Sequence, residues 1–110
     1  MIEVTYHREY GRVTIEGHAN SGDPGHDLVC AGVSALAYTL AANVGNLEAR
    51  GMVRRPTVVL EPGKAEIEAK PKPSHKATAA LIFQSVCVGF EVLADSYPEY
   101  VSYEILGRQG

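Results

Sequence analysis

Twice along this chain, two short segments that alternate apolar and polar residues are followed by a long run in which apolar residues recur every three or four positions. That rhythm constrains the fold more than any other feature. A helix with one apolar stripe must bury it, and alternating strands supply a sheet with one dry face to receive it. Ile2, Val4 and Tyr6 alternate with Glu3, Thr5 and His7, the period of a half-buried strand. Glu9-Tyr10-Gly11 is a turn, and Val13 and Ile15 continue as a second strand that ends at Gly17-His18-Ala19. Asn20, Ser21, Gly22, Asp23, Pro24, Gly25 and His26 contain nothing apolar enough to hold them to a core, so a mobile loop is expected there.

Asp27 is a suitable N-cap for the first helix, whose stripe runs Val29, Val33, Leu36, Leu40, Val44 and Leu47. Gly51 suits its stop, and Gly32 and Gly45 each cost it about 1 kcal/mol relative to Ala. Thr57 to Leu60 reads as a strand, Glu61-Pro62-Gly63-Lys64 as a turn in type II order, and Ala65, Ile67 and Ala69 as the next strand. Pro71-Lys72-Pro73 ends it. Ser74 is the expected cap of a second helix with the stripe Ala79, Ile82, Val86, Phe90 and Leu93, and Val101, Tyr103 and Ile105 form a last strand. The order β-β-α-β-β-α-β predicts an α+β fold: a two-layer sandwich with a mostly antiparallel five-stranded sheet and both helices on one face. With 110 residues, one domain over 1–110 is expected.

Composition narrows the function classes. The net charge of −3 carries no basic excess for phosphate binding, so no direct nucleic-acid partner is expected. Read residue by residue, no apolar run reaches the ~18 residues of a membrane span, and the start, Met1 to Tyr6, has no secretory pattern. A cytoplasmic protein without a membrane partner is expected. Cys30 and Cys87 make neither a disulfide framework nor a C-x-x-C pair, so no zinc site is expected.

The chemistry concentrates in Gly17-His18-Ala19 and Gly25-His26-Asp27-Leu28-Val29-Cys30. A cysteine nucleophile must reach its thiolate form, which a helix N-terminus and an imidazole base both favour. With Asp27 as cap, Cys30 is about the third helical residue, and His18 ends the strand that leads into the preceding loop. His26 is a rival base, and His7 and His75 read as surface residues. Asp27 has two readings: it caps the helix, or it orients His18 as the third member of a triad does. Ser34 lies one helical turn beyond Cys30, where it meets the sulfur or the substrate. Cys87, among Phe83, Val86 and Phe90, reads as core.

Gly17-His18-Ala19 followed by Gly25-x-Asp27-Leu28-Val29-Cys30-Ala31-x-Val33-Ser34-x-Leu36 resembles the ribosomal-processing cysteine protease (Prp) family over nearly the whole chain, including Tyr97-Pro98 after the second helix. The resemblance implies a cysteine endopeptidase that removes a short N-terminal extension from a large-subunit ribosomal protein, cutting after paired aromatic residues. It implies Cys30 as nucleophile, His18 as general base, Asp27 and Ser34 near the site, a flexible substrate loop from Asn20 to His26, a homodimer, and no metal or organic cofactor. The backbone amides of Val29, Cys30 and Ala31, at the expected helix start, are the natural oxyanion donors. The loop here carries no aromatic or large apolar residue, whereas other members of the family can carry one there. Two other readings stand beside this one: a protease acting on a phage capsid or scaffold protein, and a non-catalytic ribosome-associated module.

Overall fold

The computed structural model describes residues 1–17 and 24–107. The chain folds in the expected order. Strands β1 (Ile2–His7) and β2 (Arg12–Glu16) form a hairpin, followed by helix α1 (Pro24–Ala49). A second hairpin, β3 (Thr57–Glu61) and β4 (Lys64–Glu68), leads through a 3-10 turn at Pro73–His75 into helix α2 (Lys76–Ser96) and the last strand β5 (Val101–Leu106). The sheet order is β3-β4-β2-β1-β5. Every neighbouring pair is antiparallel except β1 and β5, which run parallel because α2 carries the chain back to the same end of the sheet.

Strand alternation decides which face is dry. Ile2, Val4, Tyr6, Val13, Ile15, Ile67 and Val101 are buried, whereas Glu3, Glu16 and Glu104 line the open face. Helix α1 buries Val29, Val33, Ala37, Leu40, Val44 and Leu47 against the dry face, and α2 buries Ala79, Phe83, Cys87 and Phe90. The core stripe of α2 is thus rotated from the expected one. Ile82, Val86 and Leu93 are only partly buried. Positions 82, 86, 89 and 93 share one helical face, and that face meets α1: a Cβ on Gly89 would land on the Leu36 methyls, and one on Gly32 would touch Leu93. The glycine of each helix therefore receives a leucine of the other, which sets two antiparallel helices side by side on the sheet. This also explains why Leu36, expected in the core stripe, sits at the helix contact while Ala37 takes the sheet-facing place.

The helix ends depart from expectation at both starts. Helix α1 begins at Pro24 and not after Asp27, because proline lacks an amide to leave unpaired and its fixed φ suits the first turn. Asp27 is therefore a first-turn residue rather than the cap. Residues 24–26 of the expected loop belong to the helix backbone, while His18, Ala19 and Asn20 to Asp23 lie outside the described residues. Ser74 does not cap α2. It sits inside the 3-10 turn, and His75 occupies the N-cap position without a side-chain capping bond. The stop of α1 falls as expected. Gly51 takes φ +71°, its amide reaches the Glu48 carbonyl at 2.9 Å, and that of Met52 reaches Leu47 at 2.9 Å, the two bonds of a Schellman motif.

Both helices are long and apolar enough, by length and composition, to cross a membrane, with mean hydropathy 1.6 and 1.7. The absence of an unbroken apolar run understates this. Much of that apolarity is spent on the sheet and on the helix pair, and Leu28, Tyr38, Leu81, Val88 and Val92 face outward.

Candidate active site

The site begins where β2 ends. Gly17 takes φ +113°, and its amide donates to the Gly63 carbonyl at 3.0 Å. A side chain at this position would run into the Met1 carbonyl, so only glycine fits. The positive φ breaks strand alternation at the residue before His18.

Gly17 opens onto a cavity of about 290 Å³ that also exposes Cys30. Three elements wall it. The β1–β2 hairpin supplies Ile2, Ile15 and Gly17, and α1 supplies Cys30, Val33, Ser34, Ala37 and Tyr38. The β3–β4 hairpin supplies the run from Leu60 to Ala65. Cys30, Ser34 and Tyr38 follow one another at steps of four, so one face of α1 presents all three. Cys30 is half-buried and packs partly on the core. Asp27, one turn earlier, is exposed.

Two expectations about this helix are corrected by its early start. Cys30 is the seventh residue of α1 and not about the third, so the helix dipole, which fades beyond the first turn, gives its sulfur little help. The amides of Val29, Cys30 and Ala31 lie in the second turn, where each pairs with the carbonyl four residues back. They are committed to the helix ladder and are not free oxyanion donors.

Cys87 lies on α2, outside the cavity, and is 2% exposed. Burial pushes its thiol up from its ordinary 9.0 to about 11, against the opposing effect of a hydrogen bond from the Tyr103 hydroxyl. At neutral pH that sulfur stays protonated and out of reach. His7 sits on the open face of the sheet beside Thr14 at 3.4 Å, and His75 lies in the turn before α2; neither lines the cavity. His18 and the side chain of His26 lie outside the described residues. Among the described residues, no group of three or more His, Cys, Asp or Glu is gathered to hold a metal ion.

The β3–β4 wall escaped the reading of the sequence. The turn itself was legible in Glu61-Pro62-Gly63-Lys64, and Gly63 has the φ of +77° that a type II turn requires. Its place beside the end of β2 was not, because that follows from β4 pairing with β2. Tyr38 carried a readable signal in its spacing of eight from Cys30.

The cavity gathers a solvent-reachable thiol on a helix wall, a strand end and a hairpin turn, the arrangement a thiol enzyme would use. The chain matches the model of the family "Cysteine protease Prp" over residues 1–102, and it belongs to that family. It is 27% identical over 103 residues to the ribosomal processing cysteine protease Prp of Staphylococcus aureus, covering 91% of this chain and 92% of that protein. Among solved structures, SMU.848 from Streptococcus mutans superposes with a TM-score of 0.70 at 30% identity, covering 98% of this chain and 96% of that one. The S. aureus ribosomal processing protease Prp in complex with a covalently linked product peptide gives 0.69 at 25% identity, covering 96% and 97%. The protein is a cysteine protease, a hydrolase.

Proposed function

We propose that this protease removes a short N-terminal extension from a large-subunit ribosomal protein, cutting after paired aromatic residues, with Cys30 as nucleophile and His18 as general base. The observation that carries the assignment is the cavity that Cys30 shares with Gly17, the residue bonded to His18. The product peptide covalently linked to the S. aureus relative supports covalent catalysis, and that relative's ribosomal processing role supports the substrate. The apolar floor of Ile2, Ile15, Val33 and Leu60 suits aromatic side chains.

In this mechanism the His18 imidazole takes the proton of the Cys30 thiol. The thiolate attacks the scissile carbonyl carbon, and the tetrahedral intermediate collapses as the imidazolium gives its proton to the leaving amine. The remaining thioester is attacked by water, whose proton passes to His18, and the carboxylate product leaves with the thiol restored. Because Cys30 stands beyond the first turn of α1, the imidazole carries most of the burden of forming the thiolate. Ser34, on the same face of α1, contacts the substrate, and Asp27 orients His18 from the first turn. The protein works in the cytoplasm as a homodimer, which sedimentation tests.

The experiment is cleavage of a synthetic peptide with two adjacent phenylalanines before the scissile bond, read by mass spectrometry. Cys30→Ala and His18→Ala abolish cleavage, and Cys87→Ala leaves it nearly intact. Cleavage by Cys30→Ala would overturn the assignment.

A further inference from the structure

The sheet has two open edges, and β3 is the one that runs into the cavity. Which of its backbone groups are free follows from the hydrogen bonds of its neighbour. The Gly63 carbonyl accepts from Gly17, and the Ala69 amide donates to Gly11 at 3.0 Å, so odd-numbered residues along β4 turn their backbone toward β2. Even-numbered residues 64, 66 and 68 then turn toward β3, where they pair with Glu61, Val59 and Thr57. The amides and carbonyls of Val58 and Leu60 point away from the sheet, and no described backbone group bonds to them.

Their side chains lie on the helix-covered face, since Val58 stands opposite the buried Ile67 and Leu60 opposite Ala65. Helix α1 packs on β4 and leaves this shelf open, so Val58 is 44% exposed although it faces the core side. Natural edges are normally closed by lysine, proline, a bulge or a covering element. Strand β3 reads Thr-Val-Val-Leu-Glu, pairs one-to-one without a bulge, and has proline only at its flanks, Pro56 and Pro62. Leu60 and Glu61 also line the Cys30 cavity, with Tyr38, 61% exposed, across from them.

We propose that the substrate is bound as a sixth strand on the outer edge of β3, its backbone bonded to Val58 and Leu60, and that it runs on from there into the Cys30 cavity. The occupant is an extended peptide because a protease must present a straightened backbone to its nucleophile, and because this edge and the Cys30 cavity share Leu60 and Glu61. Alternate side chains of the bound peptide face Val58, Leu60 and Tyr38, which gives recognition a period of two. This rests on Cys30 being the nucleophile.

The test is an N-methyl scan of the diphenylalanine peptide against the wild-type enzyme. Methylation at alternate positions on one side of the scissile bond raises KM about tenfold or more, and methylation of the positions between has little effect. Val58→Pro, which removes an outward amide without removing a ladder bond, raises KM similarly and leaves alkylation of Cys30 by iodoacetamide unchanged. A scan without alternation overturns the proposal, whether or not Val58→Pro folds. An unchanged KM in folded Val58→Pro overturns it as well. A changed sedimentation coefficient in Val58→Pro also overturns it, because the edge would then belong to a second copy of this chain. Cleavage by Cys30→Ala is a separate failure, of the nucleophile and not of the edge.

Discussion

At the scale of single residues, two cysteines of identical chemistry are given opposite surroundings by the fold. Cys30 faces an open cavity on α1, whereas Cys87 is sealed between α2 and the sheet with its thiol raised to about 11. Gly17 is the residue on which the site turns. Its φ of +113° and the Met1 carbonyl beside it exclude any side chain. Gly17→Ala is expected to cost at least about 2 kcal/mol of stability, read as a lowered urea midpoint. It should also lower kcat/KM more than its stability loss explains at a temperature where the variant is folded, because it moves the attachment point of His18. These residues were singled out in the sequence by the resemblance of Gly17-His18-Ala19 and of the segment from Asp27 to Cys30 to the family's motif, because spacing alone marks a helix-borne cysteine as readily for packing as for catalysis. The backbone angle that redirects the chain at Gly17 was only permitted by glycine and not dictated by it.

At the scale of elements, the strands and helices were readable because each buries one face, and periods of two and 3.6 leave their mark on residue order. The starts of the helices were not. Asp27 and Ser74 are good caps in isolation, yet Pro24 and the Pro71-Lys72-Pro73 run settled where the helices begin, and that shift moved Cys30 out of the first turn. The two helices also separate glycines that look alike in sequence. A Cβ on Gly45 meets nothing within 4 Å, so Gly45→Ala is expected to stabilise the protein by about 0.5–1 kcal/mol through helix propensity alone. A Cβ on Gly89 would lie 2.6 Å from a Leu36 methyl, and Gly89→Ala is expected to lose that gain or reverse it, as Leu36 shifts and the helices part slightly. Thermal melts of the two variants side by side check this, and equal stabilisation would show that the helix contact is looser than the packing indicates.

At the scale of the whole molecule, the layer between α2 and the sheet is aromatic and carries buried protons. Tyr6 stacks on Phe83 and Phe90 on Tyr103, with ring centroids 6.1 and 6.5 Å apart. Burial first, and then the neighbouring Cys87, holds the Tyr103 hydroxyl well above its usual range, and burial likewise raises Tyr6. Below pH 9 the Cys87 thiol is protonated in both folded and unfolded chains. As pH rises from 9.0 toward 11 the unfolded thiol ionises first, so stability is lost across that window. Urea midpoints measured at pH 8 and pH 10.5 are expected to fall, and to fall less in Cys87→Ala. An equal fall in both would place the alkaline sensitivity in the tyrosines.

The sequence by itself determined the order of elements and the dry face of each strand, because periodicity is a local property, and it singled out Cys30 as the candidate nucleophile. Tertiary structure alone decided that β4 pairs with β2, which brings the Pro62–Gly63 turn beside Gly17 and closes a cavity around Cys30. It also left the Val58 and Leu60 edge open and joined it to that cavity. Strand order and the reach of a helix over a sheet depend on contacts between residues far apart in the chain, and no local pattern encodes them.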